Sequence, residues 1–218
     1  MSFIKESLLQ IQRLIPTFAI VYIALAGLLT AVVIAGAILD IPIANFTRDP
    51  AAILNAHPLV GVISNIGILF WCSTAAICFF ASVILYSKKQ KSDAIFLFFS
   101  GLLTLLLLFD DLFMFHEEFL PNYLHIPERA VYVIYLILIL GYFLKFMSDI
   151  LQSEYTILLI ACGFLGLSVI SDMVFPQEGL EFLVEDGFKL FGIVTWFLFF
   201  SRTSYIYIHK LFSSYSSE

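Results

Sequence analysis

Two acidic strings and a serine–aspartate pair are the parts of this 218-residue chain equipped to do chemistry. The first string, Phe109-Asp110-Asp111-Leu112-Phe113-Met114-Phe115-His116-Glu117-Glu118, closes a long apolar run. Asp110 and Glu117 are seven apart, so at 100° per residue they share a helix face. Asp111 and Glu118 share the neighbouring face. Two inward carboxylates two turns apart would offer hard oxygen ligands. His116 would add a nitrogen if the helix ends or bends there. Carboxylates with one imidazole suit Mg, Mn or Fe, and Zn less well. The plain alternative, for Glu117 and Glu118 especially, is a solvated helix end.

The pair is Ser168 and Asp172, four apart and within hydrogen-bonding reach on a helix. The second string, at 181–189, holds Glu181, Glu185 and Lys189 at i, i+4 and i+8, with Asp186 three residues before Lys189. Such spacing predicts an ion pair that makes Lys189 tolerable in an apolar helix. Acids in a first turn also suit the helix dipole. In the sharper reading Lys189 tunes a neighbouring carboxylate. Ser64, Asn65, Tyr132 and Tyr135 lie at matching depth and could hydrogen-bond into the same cavity. His57 and His125 fall in loops.

The elements that must position these residues are dictated by composition. Apolar residues make up 61% of the chain and charged residues 13%, against about 45–50% and 25% in soluble domains. Runs over 14–39, 59–86, 94–115, 129–147, 155–173 and 181–205 reach or approach the ~20 residues that cross a bilayer core. Ile41-Pro42, Asp49-Pro50, Pro121, Pro127 and Pro176-Gln177 punctuate them. Backbone in lipid must satisfy its own hydrogen bonds, so unbroken runs of this length read as helices. The expected fold is an all-α integral membrane bundle of about six transmembrane helices over 14–208. A segment over 1–13 is expected either to lie flat as an interfacial helix, because Ile4, Leu8, Ile11 and Ile15 repeat at helical spacing, or to extend the first span. Residues 209–218 read as a cytoplasmic tail. The run at 14–39 is too long for the apolar region of a signal peptide, so it is expected to be retained. Cys72, Cys78 and Cys162 sit inside apolar runs without ligand spacing and read as packing residues.

Charge sets the orientation. Lys5, Arg13, Lys88, Lys89, Lys91, Lys145, Arg202 and Lys210 fall on one side of a six-span arrangement, and Arg48 and Arg129 on the other. Positive residues stay inside, so both termini are expected in the cytoplasm, with the bacterial inner (plasma) membrane as the location. Twelve of the 17 carboxylates then lie in the outer half. Like charges crowded in low dielectric need a bound cation, shared protons or counter-charges. The favoured arrangement is a divalent cation held by Asp110, Glu117 and Asp172, with His116 or Asp186 completing it. Asp111 or Glu185 would then serve as base, and Lys189 would stabilise developing negative charge. No carboxylate or histidine lies deep in the inner halves, so polar chemistry enters from one side and stops. The expected function is a metal-dependent hydrolase acting on a lipid or lipid-linked substrate at the outer leaflet. A cation-binding or cation-transport protein and a non-catalytic accessory subunit are the alternatives. Expected partners are membrane lipids and further subunits, in a homo-oligomer or a larger membrane complex, and not nucleic acid.

Overall fold

The computed structural model describes residues 2–174 and 180–215, and every regular element among them is helical. The chain divides into two compact units, Met1–Val60 and Gly61–Glu218. The first holds α1 (Ser2–Leu39) and the short helices α2 (Ala44–Thr47) and α3 (Pro50–Ile53). The second holds α4 (Val62–Ser87), α5 (Lys91–Phe113), a π-helical turn (Phe115–Phe119) and α6 (Leu120–Leu124). It continues through α7 (Glu128–Lys145), α8 (Met147–Leu151), α9 (Tyr155–Val174) and α10 (Leu180–Tyr215).

Among the described residues, four stretches are long and apolar enough to cross a membrane: Lys5–Leu39, Val62–Ser87, Lys91–Phe113 and Tyr155–Asp172. The predicted breaks at Pro42, Pro50 and Pro127 hold, whereas the chain is helical through Pro121 and is interrupted at left-handed Met114 instead. Elsewhere helices run on. The segment 1–13 is continuous with α1, because neither glycine nor proline interrupts residues 2–15 and Pro16 is accommodated within the helix. Likewise α10 continues past 205 to Tyr215, so most of the expected tail is helical. The break at Pro176-Gln177 and residues 216–218 lie outside the described residues.

The second unit is organised around α10, which packs along α4 and α9, while α4 also packs on α5. Its core is aromatic: Trp71, Phe96, Trp196, Phe199 and Phe200 are each buried. Close approach of α9 and α10 depends on Gly192. A Cβ there would meet Leu165 Cγ at 2.7 Å and the Leu165 backbone nitrogen at 3.0 Å. Small residues at such crossings let helix backbones come together. A few polar groups are paired within this core. Trp196 Nε1–H donates to Thr104 Oγ1 at 3.0 Å, and the Ser100 and Tyr142 hydroxyls lie 2.6 Å apart.

Candidate functional site

Helix α5 stops at Phe113 because Met114 takes a left-handed conformation, φ 49°. The π-helical turn then folds the chain back, bringing His116 over Asp110. Here the seven-residue relation expected for Asp110 and Glu117 fails, since the helix ends between them. They are joined instead through the imidazole. The His116 backbone N–H donates to Asp110 Oδ1 at 3.1 Å, and His116 Nδ1 lies 2.6 Å from Oδ2. Tyr135, on α7, donates its hydroxyl to Oδ1 at 2.7 Å. The buried Asp110 carboxylate therefore accepts three hydrogen bonds, which meets the cost of burying it. On the far side of the ring, Nε2 is 3.3 Å from Glu117 Oε1. The Tyr132 ring packs against the imidazole, its centroid 5.2 Å away.

Electrostatics follow from these contacts. Burial pulls the imidazole pKa down, but hydrogen bonds and charge attraction from Asp110 and Glu117 outweigh it and raise it to about 9. The hydrogen bond from His116 holds Glu117 below the usual carboxylate range, against the effect of its partial burial.

Asp111 faces another way. It forms an ion pair with Lys189 of α10 and accepts a hydrogen bond from Trp71 Nε1–H of α4 at 2.9 Å. The expected partners of Lys189 lay on its own helix. Its ion pair runs to Asp111 of α5, with Asp186 of its own helix lining the same small cavity. Ser64, Asp111, Asp186 and Lys189 share the lining of a small cavity of about 10 Å³, the order of one water molecule. Glu117 and Asp186 both act on Lys189 through charge.

Asp172 enters through Tyr132. That hydroxyl is 3.3 Å from Asp172 Oδ2 and 3.2 Å from Glu128 Oε1, and has one proton to donate. Glu185 is half-buried on α10 and has contacts of its own. The side chain of Glu181, and Glu178 altogether, lie outside the described residues.

Apart from Glu185, the predicted residues thus fall into three groups at one end of the second unit. Asp110, His116 and Glu117 touch in sequence. Asp111, Asp186 and Lys189 share a cavity, and Asp172 is reached through a tyrosine. Among the described residues, no three or more His, Cys, Asp or Glu are grouped so as to hold a metal ion. Trp71 is the residue that sequence reasoning missed. Its indole N–H, on an apolar helix two turns on from Ser64, was the available signal, because buried indoles usually find an acceptor. Chemically, the arrangement offers an imidazole locked by a carboxylate at Nδ1, with Nε2 turned towards a second, exposed carboxylate. That can transfer a proton or bind a cation.

A family model described as a domain of unknown function (DUF8692) matches residues 21–203. No curated protein matches the chain, and no solved structure does.

Proposed function

The chain belongs to this family of unknown function, and on that premise we propose that it is an integral membrane enzyme of about six spans. Its substrate is a lipid or lipid-linked molecule, hydrolysed with a divalent cation at the outer leaflet. The four long apolar helices support the membrane setting. Helices α7 and α10 coincide with the fourth and sixth expected spans. The lysine and arginine bias supports cytoplasmic termini, and the membrane of the proposal is the bacterial inner (plasma) membrane.

One observation carries the functional reading: Asp110 grips His116 at two points and leaves Nε2 beside Glu117. A carboxylate behind a histidine fixes its tautomer and aims its other nitrogen, as in metal sites and acid–base sites. Two donors 3.3 Å apart suit neighbouring ligands on one ion with bonds of ~2.1 Å. Water and a substrate oxygen would fill the other positions, as is common for ions held by few protein groups. Such an ion would supply Lewis acidity and a water of lowered pKa. His116 and Glu117 hold it, Asp110 orients His116, and Tyr135 steadies Asp110. Asp111 and Lys189 occupy each other, so their part is to fix α5 against α10 and set the local field.

The test is metal content. Detergent-purified protein dialysed against Mn²⁺ at pH 8 should keep about one ion per chain. His116→Ala should lose it, and Asp110→Asn should weaken binding about 10–100-fold. Binding must displace the Nε2 proton, so apparent affinity should rise about tenfold per pH unit until pH reaches about 9. No ion retained, or equal retention in His116→Ala, sinks the assignment. In that event the Lys189–Asp111–Trp71 contacts favour an accessory role, because they tie three helices together without needing a ligand.

A further inference from the structure

We propose that the groove between α4 and α5, next to the turn that joins them, binds an anionic phospholipid, its acyl chain in the groove and its phosphate against the lysines of the turn. The inference rests on the membrane setting proposed above and not on the metal. The groove has a volume of about 460 Å³ and is lined by Val83, Tyr86, Ser87, Ala94, Ile95 and Phe98, with Ser82. That volume lies within the range of pockets that take small organic ligands.

The lining presents carbon. Its two serine hydroxyls are already committed, Ser82 donating to the Ala94 carbonyl at 2.7 Å and Ser87 to the Ile84 carbonyl at 2.7 Å. A buried alanine at position 94 keeps the slot deep, while Val83, Ile95 and Phe98 stand exposed along its walls. An alkyl chain fits such a surface better than a polar metabolite does.

The turn that adjoins the groove carries positive charge. Lys88, Lys89 and Lys91 fall within four residues, and Lys89 and Lys91 are exposed. Asp93, the carboxylate in the first turn of α5, sits in the field of Lys210 and Asp149. A lysine-bearing turn next to an apolar slot complements a phosphate head on an acyl tail. Basic residues at this side of a membrane protein face the leaflet rich in anionic lipid.

Native mass spectrometry of the full chain, with phosphatidylglycerol or phosphatidylcholine added in detergent, tests the site. Phosphatidylglycerol should stay bound at collision energies that strip phosphatidylcholine. The Lys89→Gln/Lys91→Gln variant should lose this preference roughly tenfold, each lysine contributing a few-fold. Ile95→Trp, which fills the slot from an exposed position, should lose retention of both lipids while its helical circular dichroism is unchanged. Equal retention of the two lipids by the native protein, or a preference that survives both variants, overturns the proposal. Recovery of the chain in the soluble fraction after carbonate washing would instead overturn the membrane setting, before any lipid is added.

Discussion

Burial alone would leave an imidazole neutral at pH 7, yet His116 lies between two carboxylates and its pKa is raised to about 9. The sign of the stability effect follows. A raised pKa means the protonated ring is held more tightly in the folded chain than in the unfolded one. That contribution is complete below the unfolded value near 6.5. It disappears as pH rises through about 9. Glu117 acts in the opposite direction, its contribution being lost as pH falls into and below the carboxylate range. The melting temperature of the detergent-solubilised protein should therefore drop between pH 6.5 and 9. In His116→Gln that drop should be absent. A native melting temperature that stays level across the window would count against the contacts of His116. From the sequence, Asp110, His116 and Glu117 were recognisable as a group by residue type alone. Their true connection was not, because the helix period applies only while the helix lasts, and Met114 ends it.

Helices α4, α5 and α10 meet at Asp111, where Trp71 and Lys189 both reach one carboxylate. Removing one member of this pair strands the other, and because the lysine side chain is 33% exposed while the carboxylate is shielded, water screens part of the loss, leaving about 1–2 kcal/mol. Asp111→Asn should therefore lower stability by about that amount in denaturant unfolding. Adding Lys189→Met to Asp111→Asn should recover much of the loss, since no charge is then left unpaired. If the double variant is as unstable as the sum of the singles, the pair is not coupled as described. Sequence spacing suggested that Lys189 would find its counter-ion within α10. Local periodicity can rank only the neighbours along one helix. It cannot see that α10 runs against α4, or that the end of α5 carries a carboxylate to the same level.

At the scale of the whole molecule, the asymmetry of charge is the controlling feature. The exposed lysines of the α4–α5 turn lie at one end of α5, and the Asp110–His116–Glu117 group lies at the other. Labelling can test the proposed orientation in a background without Cys72, Cys78 and Cys162. Asn122→Cys should react with a membrane-impermeant maleimide on intact spheroplasts. Lys89→Cys should react only after permeabilisation. The reverse pattern would invert the protein and place the site on the cytoplasmic face. Lys89 suits this role because it is exposed and its backbone already takes a left-handed conformation, φ 65°, which cysteine tolerates no worse than lysine.

Composition and run length were enough to determine an all-helical chain with helices able to span a bilayer, because hydropathy and backbone satisfaction depend on local sequence alone. Residue order along the runs also put Asp110, His116, Glu117 and Lys189 near the ends of their helices. Helix ends not marked by proline or glycine were less legible, as α1 and α10 demonstrate by running on. Which carboxylate meets which partner was decided only by tertiary structure. Such pairings depend on how helices rotate and pack, and on a single left-handed residue at 114, and neither quantity has a period that can be read along the chain.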